Sequence, residues 1–114
     1  MATYKNITAS GDGTITDLIA RGDYSKGTVR SIRITNYDGK TARTVSVFIE
    51  DSTAAATTNA GNKKFYLCSD VNIPVGASLL LDNGISYDGF IFSLRIKTYN
   101  DADGGAPALT VIIK

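Results

Sequence analysis

Phe90-Ile91-Phe92-Ser93-Leu94-Arg95-Ile96-Lys97-Thr98-Tyr99-Asn100 is the stretch that decides the fold. Phe90, Phe92, Leu94 and Ile96 fall on one side of an extended chain, and Ile91, Ser93, Arg95, Lys97 and Tyr99 on the other, a period of two that no helix satisfies. A central β-strand is predicted here. The same alternation recurs outward from it. In 43–50, Val45, Val47 and Ile49 share one side and Thr44, Ser46 and Phe48 the other; near the end, Leu109, Val111 and Ile113 alternate with Thr110 and Ile112. In 27–36, Ile32 and Ile34 oppose Ser31, Arg33 and Thr35, while Val29 is out of phase and is read as a bulge. Segments 4–9 and 14–19 read as edge strands, 63–71 as a strand with Phe65 and Leu67 opposed to Tyr66 and Cys68, and 77–81 as a short strand after Pro74.

Turn signals punctuate these runs: Ser10-Gly11-Asp12-Gly13, Tyr37-Asp38-Gly39-Lys40, Asp82-Asn83-Gly84 and Asp88-Gly89. The second of them predicts that 27–36 and 43–50 pair as a hairpin. Thr, Ile and Val supply 31 of the 114 residues, and such β-branched side chains suit a pleated surface. The expected fold is all-β: an antiparallel two-sheet β-sandwich, jelly-roll-like, of about eight strands, forming one domain over 1–114. Residues 51–62 carry no large apolar side chain to offset the entropy of ordering, so a flexible, exposed loop is expected there.

Composition narrows the function. Lys plus Arg number 12 and Asp plus Glu 11, a net charge of +1 that leaves no electrostatic footprint for nucleic acid. Apolar runs are too short to span a bilayer, so no membrane association is expected. Met1-Ala-Thr-Tyr-Lys5 does not read as a secretion signal, so synthesis in a cytoplasm is expected. Cys68 is the only cysteine and there is no His, so the commonest general base and metal ligand are absent. No catalytic residue, metal site or cofactor is expected, and the chain is read as a non-enzyme. Asp101, Asp103 and Gly104 resemble the start of a calcium loop, but the first and closing ligand positions fall on Tyr99 and Thr110. Arg21-Gly22-Asp23 is read as a turn, and Asn6-Ile7-Thr8 as part of a strand. Cys68 is read as a small hydrophobe.

The informative feature is a set of large apolar side chains opposite the expected core: Phe48, Ile91 and Ile112, with Leu80 and Tyr66 as weaker members. A lone sandwich would place polar residues there, so these positions are candidates for contact with another protein. Arg33, Arg43, Arg95 and Lys97 are candidates to meet an acidic partner surface.

Ser31-Ile-Arg-Ile-Thr-Asn36, Val45-Ser-Val-Phe-Ile49, Phe65-Tyr-Leu-Cys68 and Val71-Asn-Ile-Pro-Val-Gly-Ala-Ser-Leu-Leu-Leu-Asp82, closed by the alternating C-terminal strand, form a series that resembles small virion proteins of tailed bacteriophages. The resemblance runs from about residue 27 to 114. It implies a virion component made in the host cytoplasm, specifically a capsid decoration or cement protein that binds the major capsid protein, with a homo-oligomer, a trimer above all, as its working form. A tail, head-tail connector or fibre-base component is the alternative within that class. A carbohydrate-binding module is the alternative outside it, disfavoured by the absence of Trp and by scattered Tyr.

Overall fold

The computed structural model describes residues 2–23, 28–51 and 64–114. The loop expected over 51–62 lies, apart from Asp51, outside the described residues. Ten strands are present among them: β1 (Thr3–Ile7), β2 (Thr14–Ile19), β3 (Thr28–Val29), β4 (Ile32–Asn36), β5 (Arg43–Asp51), β6 (Lys64–Ile73), β7 (Ser78–Leu81), β8 (Ile85–Ser86), β9 (Phe92–Thr98) and β10 (Leu109–Ile113). Eight of them build two four-stranded antiparallel sheets, β1-β10-β4-β7 and β2-β9-β5-β6. The expected count of about eight therefore holds for the two sheets, and the two-residue β3 and β8 form a small ladder of their own. With the eight long strands taken in chain order, the sheets read 1-8-3-6 and 2-7-4-5, the connectivity of a jelly roll.

That order corrects one expectation. β4 and β5 do not form a hairpin: β4 lies between β10 and β7 in the first sheet, β5 between β9 and β6 in the second. Tyr37-Asp38-Gly39-Lys40 is a real turn, but it carries the chain from one sheet to the other. Val29 is also not a bulge within one strand. The chain leaves the β3–β8 pairing after Val29 and restarts at Ile32, so Val29 and Ile32 are both buried without sharing a strand's phase.

The core is the set of inward-facing residues expected from alternation: Ile32 and Ile34, Val45 and Val47, Leu94 and Ile96, then Leu109, Val111 and Ile113. Two bulged edges modify the count. At β2 the register slips between Asp17 and Ile19, so Leu18 and Ile19 are both buried while Asp17 stays on the outer face opposite Arg95. At β6 the register slips twice, between the partners of Val45 and Val47 and between those of Val47 and Phe48. Leu67 and Cys68 consequently both pack against the core, rather than on opposite faces as simple alternation requires. Burial pushes the Cys68 thiol up, which keeps it protonated at neutral pH. Asp70, at the first slip, has φ +49°, and the Ser46 hydroxyl accepts from its backbone N–H at 2.8 Å. A short polar side chain tolerates that left-handed conformation better than a branched one.

Thr98 sits in the core register of β9, 1% exposed, and among the described residues its hydroxyl has no hydrogen-bond partner. Replacing it with the isosteric Val removes a buried unsatisfied group without changing shape. We expect Thr98→Val to stabilise the chain by about 1 kcal/mol, raising the melting temperature by about 4 °C. A lower melting temperature by calorimetry would contradict the placement of that hydroxyl.

Candidate functional site

On the outer face of the first sheet, pairing places Tyr4 opposite Ile112, Ile112 opposite Arg33, and Arg33 opposite Leu80. One row of side chains thus crosses all four strands. Tyr4 is 72% exposed, Leu80 48%, Ile112 partly so, and Arg33 is exposed with no side chain paired to it among the described residues. The next row along the sheet, Asn6, Thr110, Thr35 and Ser78, is polar and spends its groups internally: the Thr110 hydroxyl donates to Asn6 Oδ1 at 2.8 Å, and the Thr35 and Ser78 hydroxyls share a bond of 2.7 Å. The result is an apolar stripe interrupted by a cation that is unpaired among the described residues, and bordered on one side by a polar row bonded largely to itself. Tyr4 was missed in the sequence. Its outward phase follows from the buried Ile7 three residues later, a parity that a five-residue edge strand states weakly.

The other apolar candidates do not join this stripe. Phe48 lies on the outer face of the second sheet, as its parity requires, yet it is 0% exposed. The Tyr66 ring packs on it with centroids 5.2 Å apart, Lys64 Nζ stands 5.3 Å from its centroid, and Arg95 is its cross-strand partner on β9. The expectation that Phe48 offers itself to a partner is therefore corrected: its own neighbours already cover it. Ile91 is exposed, but it belongs to the turn before β9, where its N–H donates to the Asp88 carbonyl.

The cations divide in the same way. Arg43 shares the inward register of Val45 and Val47 and is 3% exposed. Its guanidinium donates to Asp38 Oδ2 at 2.5 Å (Nη2) and 3.0 Å (Nε), to the Gly105 carbonyl at 3.0 Å and to the Ala106 carbonyl at 2.9 Å, with Asp101 Oδ2 at 3.5 Å. It is a buried clamp, and the expectation that it meets a partner is corrected. Arg95 is committed to Asp17 at 2.6 Å and to Glu50 at 2.6 Å, and Glu50 also faces Lys64 at 3.9 Å. Desolvation pulls the Arg95 guanidinium down, but the hydrogen bonds to Asp17 and Glu50 outweigh it and hold it above its ordinary value. Lys97 Nζ lies 5.5 Å from the Tyr99 ring centroid. Of the four cations only Arg33 reaches the stripe.

Carboxylates in the turns cap backbone N–H groups. Asp101 Oδ1 accepts from the N–H groups of Asp103 and Gly105, and Asp12 Oδ1 from that of Asn100. Among the described residues no group of three or more Cys, Asp or Glu side chains is placed to hold a metal ion, and no helix is long and apolar enough to cross a membrane.

No family model matches the chain, and no curated protein matches it. Among solved structures, a chain of the T13 infectious bursal disease virus particle aligns with 98% of this chain at a TM-score of 0.52 and 13% identity. A chain of the Gt strain of that virus aligns with 98% at 0.51 and 13% identity. The protein spans only about a third of these viral chains, 30% and 32% of their lengths. The CBM32 of AlyQ, solved in complex with 4,5-unsaturated mannuronic acid, aligns with 96% of this chain and 76% of its own length, at a TM-score of 0.50 and 17% identity. Identities this low show a common fold, an all-β jelly roll shared with viral particle chains and with a CBM32.

The clamp makes two expectations testable. Arg43→Met strands the Gly105 and Ala106 carbonyls, and we expect a loss of about 3 kcal/mol in urea unfolding. The Asp38 carboxyl is held below its ordinary value of 3.8, first by the Arg43 hydrogen bond and next by the Lys40 N–H. The unfolded chain therefore binds the proton more tightly than the folded one. The stabilisation is fully present above about pH 4 and is lost as pH falls toward the lower folded value. Asp38→Asn is expected to be less stable than the parent at pH 7, the difference shrinking as pH falls through this range; a constant difference between pH 7 and pH 3 would contradict it.

Proposed function

We propose that this chain is a non-enzymatic structural component of a virus particle. The specific role we assign is a capsid decoration protein of a tailed bacteriophage, seated on the outer surface of the major capsid protein lattice. The observation that carries this reading is the stripe of Tyr4, Ile112, Arg33 and Leu80, an exposed surface whose chemistry suits another protein. A partner with apolar side chains around one carboxylate would bury the stripe and neutralise Arg33. The jelly roll supports the reading, because about a third of a viral particle chain has a similar fold. The fold alone does not select it, since a CBM32 is also similar.

Magnitudes favour repetition over a single contact. Fully burying three apolar side chains contributes roughly 1.5 to 3 kcal/mol each. Fixing one protein on another costs about 4 to 15 kcal/mol. One stripe therefore holds weakly, and retention on a shell comes from several stripes engaged together, as in a trimer straddling neighbouring capsid subunits. The tail, connector and fibre-base alternatives use the same stripe with fewer copies.

Rebinding to shells stripped of this chain tests the proposal. We expect the purified protein to be retained at hundreds of copies per particle, and Ile112→Asn or Arg33→Glu to weaken retention about tenfold or more, each tenfold being about 1.4 kcal/mol, with the melting temperature unchanged for the exposed Arg33→Glu. A small fixed copy number per particle moves the assignment to the tail. Failure to bind, or binding indifferent to both substitutions, overturns it.

A further inference from the structure

An open cleft of about 320 Å³ lies between β6 and β7, each the last strand of its sheet among the described residues, beside the β3–β8 ladder. It is reached around the β7 edge from the stripe and shares Leu80 with it. Val29, Ile32 and Leu81 give it an apolar floor. Its rim is different. Arg30, Asp82 and Asn83 stand there exposed, and among the described residues their side chains make no hydrogen bond or ion pair. Tyr66 completes the rim, 51% exposed, its ring supported by Phe48.

These groups have a common chemistry. A guanidinium, a carboxylate and a carboxamide are planar forks, each able to engage two neighbouring hydroxyls at once. A ring fixed from behind offers a platform for an apolar ligand face at little entropic cost. One positive and one negative group cancel, so nothing in the rim favours an ion. A ligand with C–H groups on one face and adjacent hydroxyls at its edge satisfies all four residues, and a pyranose ring has that construction. The volume lies at the lower end of the range for small-molecule sites, about 300 to 1,000 Å³. Gly84 sets the cleft's shape: its φ is +70°, and a Cβ there would stand 3.3 Å from the Val29 carbonyl oxygen, so the 82–84 turn approaches β3 as closely as it does only with glycine.

We infer that this cleft binds a neutral saccharide residue through Tyr66, Arg30, Asp82 and Asn83. The site is additional to the proposed protein-binding stripe, and the two meet at Leu80.

Native electrophoresis of the full chain in gels cast with dextran, mannan or xylan tests the inference. Retardation is expected in at least one of the three, relieved by free glucose, mannose or xylose respectively. Arg30→Ala and Asn83→Ala are exposed rim changes that leave the core intact, and each is expected to reduce the retardation at least threefold; Tyr66→Ala is expected to abolish it. Ile112→Asn, outside the cleft, should migrate as the parent does. Unaltered mobility in all three gels overturns the inference, as does retardation that survives both rim substitutions. Neither result bears on shell binding, which is read on stripped particles.

Discussion

The guanidinium of Arg43 closes one end of the sandwich, and the arrangement of that end depends on it. The turn between β4 and β5 and the long connection between β9 and β10 would otherwise meet over the core with their carbonyls unmet. Arg43 enters between the sheets in the register of Val45 and supplies donors to both segments at once, to Asp38 on one side and to Gly105 and Ala106 on the other. Asn36 extends the same seam: its amide donates to the Thr41 and Ile73 carbonyls, and its oxygen accepts from the Asp38 N–H. A buried charge is costly unless its hydrogen bonds are satisfied, and here nearly every donor has an assigned acceptor. The seam also explains how a turn signal as strong as Asp38-Gly39 serves a crossing between sheets: the Asp38 carboxylate is bound to Arg43, and the chain is directed away from the partner that a hairpin would use.

Much of the architecture was legible in the residues. The central position of β9 and the edge positions of β1 and β2 agree with the reading of the sequence, and the inward sets of β4, β5 and β10 follow from period-two alternation, because a strand with one buried face has a single acceptable phase. What alternation could not convey is where that phase slips. Leu18 and Ile19 are both buried, and so are parts of both Leu67 and Cys68, because a bulge adds a residue without any local signature in composition. Nor could it convey which outward residues are covered. Phe48, Ile91 and Ile112 look alike in the sequence, yet one is roofed by Tyr66, Lys64 and Arg95, one lies in a turn, and one lies in the stripe.

The basic residues illustrate the same limit. Arg33, Arg43, Arg95 and Lys97 are equivalent as charges on a line of text. Their differences come from neighbours: Asp17 and Glu50, far away in sequence, for Arg95; the distant Asp101 together with the nearby Asp38 for Arg43; and Tyr99, only two residues on, for Lys97. Arg33 has no paired side chain among the described residues because the two strands beside it contribute Ile112 and Leu80 to its row, and the next strand, β1, contributes Tyr4. Availability for a partner is thus a property of cross-strand register, which no single segment contains. The cleft was invisible for the same reason, since its rim is assembled from residues 30, 66, 82 and 83.

The two register slips in β6 have a wider consequence. A ten-residue boundary strand with regularly spaced donors and acceptors would be a template on which further copies could stack without end. Extra residues at Leu67 and near Asp70 spoil that spacing, so a neighbouring molecule laid alongside finds its own amides out of step after a few residues. Growth by ribbon extension along that margin is thereby discouraged, which favours broad flanks over this strand as the geometry through which crowded molecules meet.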